Sequence, residues 1–174
     1  INGKLAFIAY SDYTKTKKIV VYDGQELGKE YDTVVGLYDI DGKLTYSAKK
    51  DDKEFFVFDG KEIGKKHSLG PYGYLHSPIM VDGKFGYEVT WGHPIFDGIE
   101  IGKEFVDVYG LIDVGEKLAY GARDEEGKTW IIYDGKKIGE NYESVSWPDN
   151  IGGKLAFSAI IPNARDNKKT IVLL

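Results

Sequence analysis

Apolar and polar residues alternate along this chain in short runs, and Asp-Gly or similar pairs separate the runs. Between residues 33 and 65 the pattern predicts four strands, which we name A to D: Thr33–Asp39, Lys43–Ala48, Glu54–Phe58 and Lys61–Lys65. A period of two is typical of a strand that buries one face. Asp-Gly favours the two-residue turn of a β-hairpin, because both residues tolerate a positive φ. No segment predicts a helix.

Two short strings recur in strict alternation, which indicates internal repeats. The first is GKLAF at Gly3–Phe7, and its five copies carry a lysine at equivalent positions: Lys4, Lys43, Lys84, Lys117 and Lys154. The second is VYDGQELG at Val21–Gly28, and similar strings follow at Val57–Gly64, Ile95–Gly102 and Ile132–Gly139. The spacing divides the chain into five repeats of nearly equal length: 1–32, 33–71, 72–106, 107–143 and 144–174.

Four-stranded antiparallel repeats of this length predict the blades of a β-propeller. We therefore expect an all-β chain that forms a single β-propeller domain over residues 1–174, with five blades. The first and last blades are incomplete, because the first copy begins at strand B and the last copy ends at strand C. Either the ring closes on a shortened blade, or the chain belongs to a longer protein. A four-bladed ring and an open solenoid are the alternatives.

Strand B predicts how neighbouring blades pack. Its first and third positions are large, as in Leu44 and Tyr46, whereas the position between them is small, as in Ala119 and Ala156. Side chains two apart share a face of the strand. We expect the large face of one sheet to pack against the small face of the next.

The two strings together resemble the WD40-like propeller repeats of the TolB type, and this resemblance covers almost the whole chain. It implies the propeller fold. For function it implies only a range, since such repeats serve as binding domains, assembly factors and accessory domains of peptidases. The chain differs from true WD40 repeats because it contains no Trp-Asp dipeptide.

Composition and motifs exclude several classes of function. The formal net charge of −5 argues against a nucleic-acid partner, and no apolar run is long enough to span a membrane. There is no cysteine, so thiolate chemistry and disulfides are excluded. No catalytic or phosphate-binding motif is present. We expect no enzyme activity, no cofactor and no metal site. The sequence leaves the compartment open, with an extracytoplasmic location favoured.

The candidate binding residues lie where repeats differ in length, because exposed connections carry function on rigid scaffolds. The connection from the second repeat to the third, Lys65–Pro78, contains an insertion and holds two histidines and two tyrosines. With aromatic residues elsewhere, the candidates are His67, Tyr72, Tyr74, His76, Trp91, His93 and Trp147. Rings on one rim can stack on a sugar or grip a peptide. Alternatively they fill space, and Trp147 in particular is predicted to pack in the core.

The sequence therefore predicts a non-catalytic binding or assembly module that recognises a protein, peptide or glycan ligand through its variable connections. An accessory domain of a hydrolase or peptidase is the first alternative. The second is a structural subunit that self-associates through unpaired strands at its two ends.

Overall fold

Nineteen strands and no helix occur in the part of the chain that the structure describes. The structure is a computed structural model that describes residues 1–70, 72–138, 142–161 and 169–174, of which 169–172 are described by their backbone alone. Gly139 of the last YDG-type string and Pro71 of the insertion lie outside the described residues. None of the described residues forms a helix that is long and apolar enough to cross a membrane.

The strands form five antiparallel sheets, which follow one another along the chain. The first contains β1 (Ala6–Tyr10), β2 (Lys18–Tyr22) and β3 (Gln25–Glu26). The second contains β4 (Thr33–Ile40), β5 (Lys43–Lys50), β6 (Lys53–Phe58) and β7 (Lys61–His67). The third contains β8 (Leu75–Val81), β9 (Lys84–Val89), β10 (Ile95–Phe96) and β11 (Ile99–Glu100). The fourth contains β12 (Asp107–Asp113), β13 (Leu118–Arg123), β14 (Thr129–Tyr133) and β15 (Lys136–Ile138).

The fifth sheet contains β16 (Ser144–Val145), β17 (Asp149–Ile151), β18 (Lys154–Ile160) and β19 (Lys169–Leu173). In the second and fourth sheets the strand order equals the chain order, which confirms the predicted A-B-C-D arrangement. The chain divides into two compact units, Ile1–Pro78 with Val89–Trp91 and Ile79–Glu88 with Gly92–Leu174.

The recurring Asp-Gly pairs at the hairpin ends are tight turns, as the sequence predicts. Asp41 and Gly42 have φ of 52° and 72°, and Asp134 and Gly135 have 50° and 71°. Positive φ at both central residues is the requirement of the type I′ turn.

The repeated lysine of strand B fastens the end of strand C beside it. Lys117 Nζ lies 3.2 Å from Asp134 Oδ2 and 5.8 Å from the ring centre of Tyr133. Lys4 makes the same pair of contacts with Asp23 and Tyr22. The GKLAF-type string thus supplies the lysine, and the YDG-type string supplies the aspartate and the aromatic ring that the lysine contacts. This contact is a reason for the two strings to recur together.

In the first unit the core lies between the first and second sheets. The large column of β5 is buried there, with Leu44 and Tyr46 packed beside Val20 of β2 and against Ala6 of β1. The Tyr31 ring meets the Tyr46 ring edge-on, with 6.0 Å between the ring centres. Burial raises the pKa of Tyr46 far above its usual range, and the hydrogen bond with Tyr31 adds to this effect.

In the second unit the fourth and fifth sheets pack large against small, as predicted. Ala119 of β13 is fully buried in one cluster with Leu155 and Phe157 of β18. On its opposite face, β13 places Tyr120 in a cluster with Ile79 of β8. Burial raises the pKa of Tyr120 to about 12.

Strand A carries a bulge seven residues before the repeated lysine. Gly36 and Gly110 occupy this position with φ of 63° and 66°, and the strand register shifts beside each of them. Ser77 holds the position in the third sheet with φ of 50°. A left-handed residue is the mark of this kind of bulge.

The last repeat departs from this pattern, because Trp147 and Pro148 stand at the bulge. A residue before proline is biased towards extended backbone, and Trp147 is not among the positive-φ residues. The single strand A predicted there is wrong: it is interrupted, and β16 and β17 pair separately with β18.

The insertion Lys65–Pro78 is not one continuous connection, contrary to the sequence-based expectation. Strand β7 extends to His67, and β8 begins at Leu75. Between Phe56↔Ile63 and Glu54↔His67 the register shifts, so β7 absorbs two extra residues. His67 and His76 therefore lie in strands, and the connection itself spans only 68–74.

Candidate functional site

The connection 68–74 is held to the hairpin between β5 and β6 by lysine side chains. Lys53 Nζ donates to Ser68 Oγ at 2.7 Å, and Lys49 Nζ donates to the Gly70 carbonyl at 3.5 Å. The chain also folds tightly on itself here: a Cβ on Gly73 would lie 2.4 Å from the Leu69 carbonyl oxygen. Only glycine fits this close approach, so Gly73 lets the backbone pass directly beside Leu69.

The end of the connection is fixed to the segment that follows β9. Tyr74 N donates to Thr90 Oγ1 at 3.3 Å, Thr90 Oγ1 donates to the Tyr74 carbonyl at 2.8 Å, and Thr90 N donates to the same carbonyl at 3.1 Å. The Tyr74 ring lies 5.3 Å from the His76 ring. Trp91, next to Thr90, is 81% exposed. The first unit thus places Tyr74, His76 and Trp91 along one short stretch of surface.

Beneath the connection lies a cavity of about 300 Å³. Its wall is formed by one face of the second sheet and by the connection: Thr33, Val35, Ser47, Lys49, Glu54, Gly70, Tyr72, Gly73 and Tyr74. The strand register explains the sheet side. Thr33 pairs with Lys49, and Lys49 pairs with Glu54. Directly paired residues point to the same face of a sheet.

The two tyrosines are the exposed part of this wall. Tyr72 is 78% exposed and Tyr74 is 47% exposed. Burial, and secondarily the neighbouring phenol of Tyr74, raises the pKa of Tyr38. Because they are exposed, the rings of Tyr72 and Tyr74 offer a contact surface next to the cavity. Tyrosine suits such a role because it combines a rigid apolar ring with a hydroxyl group.

Glu54 is the buried part of the wall, with 5% of its surface exposed. Its Oε1 accepts hydrogen bonds from Ser47 Oγ at 2.8 Å and from the backbone N–H of Leu75 at 2.9 Å. Among the described residues no donor reaches Oε2 and no cation pairs with Glu54. Both direct partners of Glu54 in the strand ladder, Lys49 and His67, are basic residues. The Lys49 Nζ lies 3.8 Å from Asp52 Oδ1.

The fourth sheet shows what this position does elsewhere. Thr129, like Glu54, stands five residues before the aspartate of the C–D turn. Its Oγ1 accepts a hydrogen bond of 2.7 Å from the backbone N–H of Val145, which occupies the position equivalent to Leu75. One oxygen is sufficient to tie a sheet to the start of the next. Glu54 supplies that oxygen and a second one beside it.

A second acid tether lies in the second unit. Glu88 Oε1 accepts from the backbone N–H groups of Gly110 and Leu111, at 2.8 and 3.2 Å. These amides belong to the strand A bulge of the fourth sheet, so Glu88 holds that bulge.

The remaining predicted histidines lie in different places, and one of them neighbours the cavity wall. His67 stands opposite Glu54 in the β6–β7 ladder, and His93 is half-buried just before β10. Within the described residues, no three His, Cys, Asp or Glu side chains are grouped closely enough to hold a metal ion.

The prediction that Trp147 packs in the core is wrong. Trp147 is 64% exposed, and its ring lies 5.1 Å from the Tyr109 ring and over Gly110. The reason is the interrupted strand A, because Pro148 removes the bulge that other copies build at this point.

The sequence-based candidates missed the sheet side of the cavity, above all Glu54. The charged stretch 49–53, which reads KKDDK, suggests a solvated hairpin, and Glu54 directly after it is easily assigned to the same hairpin. The signal was present in the repeat alignment, since a glutamate occupies a position where another copy uses threonine.

No protein-family model and no curated protein matches the chain. Among solved structures, it is similar to the β-propeller domain of the Trilobed protease from Pyrococcus furiosus, described as having an open velcro topology. The TM-score is 0.50 and the sequence identity 15%, over 98% of this chain. The chain spans 63% of the length of that structure. At this identity the similarity concerns the fold alone, and the fold of this chain is a β-propeller.

Proposed function

We propose that the chain is a non-catalytic binding module, built from WD40-like repeats of the TolB type, which recognises a protein, peptide or glycan at the cavity beneath residues 68–74. The observation that carries this proposal is the wall itself: two exposed tyrosines, Tyr72 and Tyr74, stand beside a buried glutamate. Concave sites with aromatic walls and a few convergent polar groups are typical of ligand binding.

Hydrogen bonds from neighbouring segments also hold the connection that carries Tyr72 and Tyr74. Lys53, Lys49 and Thr90 all bond to it. A rigid aromatic surface loses little conformational entropy on binding, which favours affinity.

The test is a binding screen with the fluorescently labelled chain on one array of glycans and one array of random-sequence peptides. The variant Tyr72→Ala with Tyr74→Ala should lose its array signals, since both rings are removed. The control is Tyr13→Ala, a fully exposed tyrosine of the connection between β1 and β2. Equal signals from the double variant and the unaltered chain would contradict this site.

A second candidate is an accessory domain of a hydrolase or peptidase. Its support is the similar propeller domain, which belongs to a protease. It is tested by sequencing the gene on both sides of the region that encodes this chain, where a hydrolase domain is expected. Peptidase and esterase substrates should not be turned over by the chain alone. Robust turnover would contradict the first candidate and would indicate a catalytic part of a hydrolase instead of an accessory domain.

A third candidate is a structural subunit that self-associates. It is supported by the edge strand β1, which pairs with β2 alone among the described strands, and by Leu5, which directly precedes β1 and is 71% exposed. Free edges are templates for pairing with another chain. Light scattering after size-exclusion chromatography should show a mass that rises with concentration, and Leu5→Lys should reduce it. A monomer of 19.5 kDa at every concentration would exclude this role.

A further inference from the structure

We propose that Glu54 receives a primary ammonium group carried by a peptide, either its free N-terminus or a lysine side chain. The inference rests on the proposed binding function and identifies the chemistry of the ligand. It starts from the carboxylate Oε2, the atom that the tether to Leu75 does not use.

The first argument is energetic. A buried carboxylate is costly unless a positive charge or a full set of hydrogen bonds compensates for the lost water. Only 5% of the Glu54 surface is exposed, and both groups that donate a hydrogen bond to this carboxylate bond to Oε1. Among the described residues, Oε2 is not one of the fully enclosed polar atoms without a partner, so it remains accessible. A ligand ammonium at Oε2 would add the compensating positive charge that Ser47 and Leu75 do not provide.

The second argument comes from the repeats. At the equivalent position Thr129 makes the tether to Val145 with a neutral hydroxyl. The tether therefore requires neither a negative charge nor a second oxygen. Glutamate at this position in the second sheet introduces both, and it does so in the wall of a cavity.

The third argument is the rest of the wall. Tyrosine faces attract organic cations, and the exposed rings of Tyr72 and Tyr74 line the same cavity. The ammonium of Lys49 donates to the Gly70 carbonyl at 3.5 Å and lies 3.8 Å from Asp52 Oδ1, so its charge is partly balanced away from Glu54.

A divalent metal fits this wall less well. Such an ion requires several oxygen ligands, and the described residues provide no group of three acidic or histidine side chains. A sugar hydroxyl could donate to Oε2 but would leave the charge uncompensated. An ammonium satisfies both requirements.

Three small peptides test the proposal: Ala-Ala-Ala amide with a free N-terminus, its N-acetylated form, and N-acetyl-Ala-Lys-Ala amide. The readout is the NMR shift of the Leu75 amide, because this N–H donates to Glu54 directly. The titration extends to about 10 mM, which covers weak single-site contacts. We expect saturable shifts with the free or the lysine peptide, and none with the acetylated trialanine. Whichever peptide binds identifies the source of the ammonium.

Glu54→Gln should weaken this binding at least about tenfold, as expected from the loss of a charge-assisted hydrogen bond. The glutamine oxygen can still accept from Leu75, so the tether is kept. Glu54→Thr, which copies the fourth sheet, is the second variant if the first is unstable. Glu26→Gln, an exposed carboxylate of β3, is the control and should bind normally.

Two results would overturn the proposal. One is equal binding of the free and acetylated trialanine with no effect of Glu54→Gln. The other is no shift with any of the three peptides. In either case an array ligand that is lost in the Tyr72→Ala, Tyr74→Ala variant would leave the proposed binding function standing. If the unaltered chain binds no ligand on either array, the proposed binding function itself is wrong.

Discussion

The backbone N–H of Leu75 donates a hydrogen bond of 2.9 Å to Glu54 Oε1, and this bond ties the second sheet to the first residue of β8. Thr129 and Val145 form the corresponding bond between the fourth and fifth sheets. Two copies of the repeat thus use different side chains to satisfy the same backbone donor. The shared hydrogen bond is structural. The charge and the second oxygen, which Glu54 has and Thr129 lacks, are the features available for binding.

Removal of the Glu54 side chain should destabilise the protein through this donor. Glu54→Ala leaves the N–H of the fully buried Leu75 without its partner, which costs about 1–3 kcal/mol of unfolding free energy. Glu54→Gln should cost less, since an amide oxygen still accepts. Urea denaturation followed by circular dichroism measures both. Equal losses for the two variants would show that the charge, not the tether, provides the stability.

The repeat pattern could predict most of the fold because it is written in local signals. Asp41-Gly42 requires only its own backbone to form a turn, and Leu44 and Tyr46 share a face whatever surrounds them. Such signals act within a few residues, so strands and turns can be predicted from them without knowledge of distant contacts. The all-β fold and the large-against-small packing of Ala119 follow from them.

The candidate site could be predicted only in part, because its other half depends on distant segments. Tyr72 and Tyr74 were marked by the insertion that contains them. Glu54 becomes a cavity residue only because 68–74 folds over its strand face, and nothing near it in the sequence specifies that. The prediction for Trp147 was wrong for a local reason. Its size suggested burial, but the following Pro148 interrupts the strand and leaves the ring exposed.

Ala119→Phe should destabilise the packing of the fourth sheet on the fifth. Ala119 is fully buried beside Leu155 and Phe157, so a phenyl ring there forces neighbouring side chains out of place. Overpacking of this kind costs about 1–3 kcal/mol. Thermal melts compare it with Ala9→Phe at a half-buried site of β1, where a smaller loss is expected. An unchanged melting temperature for Ala119→Phe would contradict the packing.

Gly121→Ala should be destabilising because of a single neighbour. A Cβ at Gly121 would lie 2.1 Å from Cε2 of Tyr109, whose ring also contacts Trp147 at 5.1 Å. The tyrosine must move, at a cost of about 1–3 kcal/mol. In the background Tyr109→Ala the same substitution should cost far less. A double-mutant cycle measures this coupling, and additive losses would show that Tyr109 is not the obstacle.

The stability contributed by Asp124 should depend on pH. The hydrogen bond from Trp130 Nε1 to Oδ2, at 2.9 Å, is the main cause that lowers the pKa of Asp124, and the amides of Lys128 and Glu126 contribute further. Since the pKa is lower in the folded than in the unfolded chain, the contribution is complete above the unfolded pKa of about 4 and is lost as the pH falls through the folded pKa. The melting-temperature difference between the unaltered chain and Asp124→Asn should therefore be largest near neutral pH and shrink in acid. Trp130→Phe removes the same bond from the donor side and should reduce this pH dependence as well. A difference that grows towards acid would reverse the sign and refute the assignment.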